Sequence, residues 1–268
     1  MSSVLQPINQ WPRDSANQIR GVFTDLDDTL SKKGRVPAIV FEAMEKLQDA
    51  GILVIPITGR PAGWCDMIAR SWPVDGVVGE NGAFYFTHDS KNKSMRRVFI
   101  DSPEDRADKR QKLDIIRDKI LHTIPGAGIA SDQPYREADL AIDFCEDVPL
   151  LPQEQIDLIV SIFHDHGATA KISSIHVNGW FGDYDKLSMT KQMMRELYDI
   201  DLSREKDAYV FMGDSPNDSP MFDFFPNAIG VANLLDMKDQ CDHLPAWITS
   251  KPRGEGFVEV AELILNSR

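Results

Sequence analysis

Two textures alternate along this 268-residue chain. In the first, apolar runs of strand length are separated by stretches with helical spacing. Val22 and Phe23 lead through Thr24 into a run of acids, Asp25, Asp27 and Asp28. Over 37–50, apolar residues recur at Ile39, Val40, Ala43, Met44 and Leu47, and Gly51 stops this predicted helix as a C-terminal glycine does. ILVIPI at 52–57 is a second strand, ending at Thr58-Gly59-Arg60, and Pro61 suits the first turn of another helix. A third strand over 74–79 precedes Glu80-Asn81-Gly82, while residues 1–19, with Pro7 and Pro12, read as a loosely ordered lead-in.

The second texture begins after Ala83. Strands over 84–87 and 96–100 flank a polar turn, and a helix over 103–124 buries Leu113, Ile116 and Ile120 beneath a charged, solvated face. Two strands, near Ile129 and over 138–144, then precede a helix over 152–166 that Gly167 closes; strands over 169–172 and 174–181 complete a ββ-α-ββ-α-ββ block. The first texture returns with a helix over 188–198, a strand over 208–212 that ends in Gly213-Asp214-Ser215-Pro216-Asn217-Asp218, a short strand over 228–231 and a closing helix over 257–265. The expected fold is therefore α/β: a parallel-sheet core from 1–83 and 185–268, with an α/β domain inserted at 84–184. In such sheets ligands bind outside the carboxyl ends of the strands, and the acidic loop and Thr58-Gly59-Arg60 both fall at such ends.

Charge and cysteine usage narrow the partners. A formal net charge of −13 disfavours a general electrostatic attraction to nucleic acid or an anionic membrane, so an anionic substrate needs a local cation. Cys65, Cys145 and Cys241 are widely spaced and suit a reduced, cytoplasmic protein better than a disulfide framework. The N-terminal stretch lacks the apolar core of a signal peptide, and no run approaches the roughly 20 apolar residues of a membrane span.

The acidic loop is the centre of the chemistry. Carboxylates crowded at a strand end push each other's pKa upward, and a hard cation such as Mg²⁺ relieves that cost through oxygen ligands. A lone D-x-D is equally an acidic turn, but Asp25/Asp27, Thr58, Lys186 and Asp214/Asp218 all fall at or near one sheet edge. Hydrolysis of a phosphate monoester needs such a set: a carboxylate nucleophile, a second carboxylic acid to protonate the leaving alcohol, and cations with a hydroxyl for the phosphoryl oxygens.

In this order and spacing, DLDDT at 25–29, TGR at 58–60, DK at 185–186 and GDSPND at 213–218 resemble the motifs of the haloacid-dehalogenase-like superfamily, specifically its Cof-type branch of sugar-phosphate phosphatases. ENGA at 80–83 resembles the same branch, and the insertion sits where that branch carries its α/β cap on a Rossmann-like core. The resemblance implies Asp25 as nucleophile and Asp27 as general acid/base. It implies Mg²⁺ held by the carboxylates of Asp25 and Asp214 and the backbone carbonyl of Asp27, with Asp218 supporting it. Thr58, the Gly59 and Leu26 backbone, Lys186 and Asn217 would hold the phosphate. Two positions depart from the pattern, since Asp28 and Leu187 stand where glycine is frequent; Asp tolerates a left-handed turn better than most residues.

The insertion should select the substrate. His176, Asn178 and Trp180 share one strand face and either bind a sugar's hydroxyls and ring or form a solvated strand with one packed Trp. Arg136 and Lys171 are phosphate or carboxylate contacts or else surface charge, and Arg60 is a site residue or a salt bridge to the cap. His164 and His166 face different ways near a helix end and read as surface residues. The expected activity is an Mg²⁺-dependent phosphatase acting on a small phosphorylated metabolite, a sugar phosphate first. A hexose phosphomutase is the nearest alternative and a phospho-accepting receiver domain a more distant one. The sequence names neither the metabolite, the pathway nor the oligomeric state.

Overall fold

The computed structural model describes residues 5–268, so the first four residues of the lead-in lie outside it. The rest of that lead-in is ordered: β1 (Gln6–Pro7) and α1 (Arg13–Asn17) carry Ile8, Trp11, Ala16 and Ile19 into the core. The chain then runs through β2 (Gly21–Thr24), α2 (Ala38–Asp49), β3 (Leu53–Pro56), α3 (Ala62–Ser71) and β4 (Val77–Gly79). In α2 the residues Val40, Ala43, Met44 and Leu47 are buried, and Gly51 takes φ +75°, the left-handed conformation that a helix C-terminus needs. Ile39, read as part of the same face, points outward.

The hairpin β5 (Phe84–Asp89) and β6 (Ser94–Phe99) follows, then α4 (Pro103–Thr123), β7 (Gly128–Ile129), β8 (Leu140–Asp143), α5 (Gln153–Asp165), β9 (Thr169–Ile172) and β10 (His176–Trp180). The C-terminal part comprises α6 (Lys186–Tyr198), α7 (Leu202–Glu205), β11 (Tyr209–Gly213), α8 (Ser219–Phe224), β12 (Asn227–Gly230), β13 (Trp247–Ile248) and α9 (Arg253–Leu265).

Six strands form one parallel sheet in the order β1-β13-β12-β11-β2-β3. Strands β2, β3, β11 and β12 are almost wholly buried because helices cover both faces, which is why they read as continuous apolar runs. The central pair, β2 and β11, ends in the acidic loop and the Gly213–Asp218 loop side by side. Sequence grouping places the hairpin 84–99 in the inserted block. Instead β5 pairs with β4, which continues the parallel sheet through an Ile57–Val78 bridge, and the rings of Phe84 and Phe86 pack with α3 residues Cys65 and Ile68.

A separate antiparallel sheet, β7-β8-β10-β9, carries α4 and α5 on one face. Alternation along β10 decides what its other face offers. Val177 and Gly179 point to the helices, and Gly179 lies so close to Phe163 that a Cβ there would stand 2.0 Å from its ring. His176, Asn178 and Trp180 therefore share the opposite face, toward the parallel sheet.

Candidate active site

Asp25 follows β2 directly, and its amide donates to Met212 of β11, so pairing of the two central strands sets the start of the acidic loop. The loop closes when Leu30 and Ser31 donate to the Leu26 carbonyl. Asp28 takes φ +54°, the left-handed turn expected of an Asp at that position. Arg253 donates to its carboxylate at 2.6 Å, and Asn233 donates to its carbonyl.

Lys186 opens α6 and is buried between two carboxylates, 2.6 Å from Asp25 and 2.7 Å from Asp218. Leu187 does not disturb this placement, because Asp185 and Ser188 form a reciprocal cap that fixes the helix start. Glycine at 82 is required here. At φ +109° it lets the loop after β4 approach so closely that a Cβ would stand 2.0 Å from the Asp185 carbonyl oxygen.

Asp218 accepts from Lys186 on one oxygen and from the Asp214 and Ser215 amides on the other. Asp214 accepts from Thr29 and from Asn233, a residue the sequence reading passed over. Asp25, Asp214 and Asp218 are all buried and bring one carboxylate oxygen each within 4.8 Å of the others. Burial, partly opposed by Lys186 and reinforced by Asp218 and Asp27, pushes the Asp25 carboxyl up to about 8. Burial also pushes Asp214 well above the usual carboxylate range, with Asp25 and Asp218 adding to the shift. Lys186 keeps its charge despite burial because Asp218 and Asp25 flank it.

Three buried carboxylates thus face one ammonium, an imbalance that a divalent cation would correct, and an all-oxygen donor set suits Mg²⁺. The residues present fit that ion.

Asp27 stands apart from this cluster. Both of its oxygens accept from Arg60, at 2.8 and 3.0 Å. The same guanidinium reaches Asp132 at 3.1 Å and Glu146 at 2.7 Å on the far side and stacks over Trp64. The pairing of Arg60 with the inserted block is therefore real. Burial opposes the Arg60 charge, but Asp27 and Glu146 outweigh it. Thr58 is fully buried, and its hydroxyl oxygen accepts from the Arg60 amide.

Arg136, one of whose readings was surface charge, is buried: it binds Asp132 and Asp139 and donates to the Gly59 carbonyl at 2.8 Å. Glu80 completes the junction. Its carboxylate accepts from the amides of Ala62, Glu137, Ala138 and Asp139. No periodic pattern marks Glu80, Asn233 or Arg253; of these, only Glu80 fell within a quoted motif.

Asn178 donates to Asp139 at 2.9 Å, and His176 Nε2 lies 2.9 Å from Glu146 without hydrogen-bond alignment. Between these groups and Asp25, Asp27 and Asn217 the free space is only about 10 Å³, room for roughly one water at most. Trp180 lies farther along, stacked on Tyr184 at 5.8 Å, and lines a different cavity. His164 and His166 are exposed, as expected.

The central strands of the parallel sheet and the start of α6 thus bring buried carboxylates and a lysine to one sheet edge, where ligands bind in such folds. The family of haloacid dehalogenase-like hydrolases matches residues 22–120. A phosphoglycolate phosphatase from Methanoculleus marisnigri is 24% identical over 264 aligned positions, covering 91% of this chain and 96% of that protein. Among solved structures, a HAD/COF-like hydrolase from Plasmodium vivax superposes with a TM-score of 0.68 at 15% identity, over 96% of this chain and all of the other. A subclass IIB sugar phosphatase of the HAD superfamily superposes with a TM-score of 0.63 at 14% identity, over 91% of this chain and 98% of the other. The likeness to haloacid dehalogenase-like hydrolases thus lies in residues 22–120, and these solved structures share the fold of nearly the whole chain.

Proposed function

We propose that this protein is an Mg²⁺-dependent phosphatase of small phosphorylated metabolites, with Asp25 as nucleophile. The observation that carries the reading is the Lys186 ammonium wedged between Asp25 and Asp218, with Asp214 completing a buried, under-neutralised cluster. Mg²⁺ held by Asp25, Asp214 and the Asp27 carbonyl would supply positive charge to the phosphoryl oxygens. Lys186 donates to those oxygens while orienting Asp25; Thr58, Asn217 and the Leu26 and Gly59 backbone hold the rest of the phosphate.

An Asp25 oxygen forms a bond to phosphorus as the ester P–O bond breaks, and the Asp27 carboxyl gives its proton to the departing oxygen. Water then passes a proton to Asp27 and attacks phosphorus, releasing phosphate and restoring Asp25. Arg60 positions Asp27 for both steps. The four-stranded sheet with α4 and α5, about 102–184, serves as the cap, with His176 and Asn178 on the face that meets substrate. The related sugar and phosphoglycolate phosphatases support a small phosphorylated substrate. Among the described residues no helix is long and apolar enough to cross a membrane; a cytoplasmic setting suits the three free cysteines.

Phosphate release from a panel of phosphorylated metabolites tests the reading. Release is expected with Mg²⁺, lost in excess chelator and restored by Mg²⁺ but not Ca²⁺. No release from any ester would overturn the activity; undiminished release in chelator would overturn the metal.

A further inference from the structure

Asp28, which stands where glycine is frequent, closes a ring of contacts that leads back to Asp214. Its carboxylate accepts from Arg253 Nε at 2.6 Å, and its carbonyl accepts from Asn233 Nδ2 at 3.0 Å. The same Nδ2 donates to an Asp214 oxygen at 3.1 Å, and Asn233 Oδ1 accepts from the Arg253 amide at 2.9 Å. The carboxamide is thus fully engaged. Turning it over would set its oxygen against two acceptors and its NH₂ against an N–H, so only one orientation is tolerated. The start of α9 holds this ring against the acidic loop, residue by residue. Arg253 lies on Asp28, Gly254 comes so near Leu30 that a Cβ would stand 2.7 Å from its carbonyl oxygen, and Glu255 pairs with Lys32 at 3.0 Å.

Partly exposed ion pairs such as Arg253–Asp28 add little to stability. What the ring does provide is a neutral donor on Asp214. The other Asp214 oxygen accepts from the Thr29 hydroxyl at 3.1 Å, which is also neutral. The two donors fix the carboxylate without cancelling its charge, while the one nearby guanidinium of the ring is paired with Asp28. We propose that Asn233 is a positioning residue for the cation site, locked by the Asp28–Arg253 pair, and that it orients the Asp214 carboxylate while leaving its charge for the ion. The inference rests on the Mg²⁺ reading above and specifies what sets the affinity for that ion. Asn233 and Arg253 line neither the space at Asp25 and Asp27 nor the cavity that Trp180 lines, so their effect passes through Asp214.

Isothermal titration calorimetry of the full chain with MgCl₂ tests this, beside melting curves with and without Mg²⁺. Asn233→Ala is expected to raise the Mg²⁺ dissociation constant by about 10–100-fold, and so to shrink the gain in Tm that a fixed Mg²⁺ concentration gives. Arg253→Met is expected to raise the constant by a smaller factor, about 2–5-fold. In the Asn233→Ala background it is expected to add nothing, because it acts through Asn233. An unchanged constant in Asn233→Ala, or additive losses in the double variant, overturns the inference and leaves the phosphatase reading intact. Should Asn233→Ala fail to fold, Arg253→Met decides alone: a raised constant supports the ring and an unchanged one overturns it. No Mg²⁺ binding by the wild type overturns the metal reading as well.

Discussion

Two buried charged clusters meet between the parallel sheet and the antiparallel one, and both hold more carboxylates than cations. Around Lys186, three carboxylates share one ammonium, and Lys186 is the only donor to the Asp25 carboxylate among the described residues. Around Arg60 and Arg136, by contrast, Asp27, Asp132, Asp139 and Glu146 each accept directly from a guanidinium, and Glu80 accepts from four amides. Asp27 apart, the saturated cluster has little affinity left to offer and serves to position; the unsaturated one retains an electrostatic deficit that a cation and a phosphoryl group can use. Arg60 joins them, because it holds the side chain of Asp27 from the same loop that carries Thr58.

Deleting the one cation of the unsaturated cluster is expected to have the largest effect. Lys186→Met leaves three buried carboxylates without an ammonium and should destabilise the fold by about 3–5 kcal/mol, while abolishing turnover. Melting curves sharpen the contrast: the fall in Tm should be greater in chelator than in Mg²⁺, and equal falls would mean the cluster takes no cation.

In the saturated cluster, Glu80→Ala strands four backbone amides at once. A loss of about 2–4 kcal/mol is expected, with kcat on 4-nitrophenyl phosphate changed far less than by Lys186→Met. A large kcat loss without destabilisation would erase the distinction between the clusters.

The smallest effect is at Glu146. Contact with His176, opposed by burial and reinforced by Arg60, holds its carboxyl down at about 2, below its usual 4.5. A carboxyl lowered in the folded state stabilises fully above the unfolded value and loses that contribution as pH falls toward 2. Wild type should therefore melt about 2–4 °C above Glu146→Gln at neutral pH, and the gap should narrow below about pH 4.5. A gap that widens in acid would contradict the pairing.

What was legible in the sequence follows the same division. Asp25, Lys186, Asp214 and Asp218 were readable as neighbours because strand ends and a helix start deliver them locally, and apolar runs reveal strand ends. Arg60's triple pairing, the burial of Arg136 and the role of Asn233 depend on chain segments 19 to 205 residues away, which no local pattern encodes. The ordered lead-in escaped for another reason. β1 and β13 are two residues each, too short for alternation to show, and Pro7 argues against a strand except at an edge, which is where β1 lies. The hairpin 84–99 carries the texture of the cap because it is antiparallel, yet its rings complete the core. The face shared by His176, Asn178 and Trp180 was correctly periodic, but periodicity could not show that it divides between a filled space and an open cavity.

In the proposed reaction Asp25 accepts the phosphoryl group. Asp27→Asn should still be phosphorylated by 4-nitrophenyl phosphate, whose leaving group needs no proton, but should release phosphate slowly because water lacks its base. Rapid acid quench of that variant with Mg²⁺, followed by peptide mass spectrometry, is predicted to find one phosphoryl group on Asp25, and none when Asp25→Asn is added. A phosphoryl group on another residue, or undiminished turnover by Asp25→Asn alone, would contradict the account.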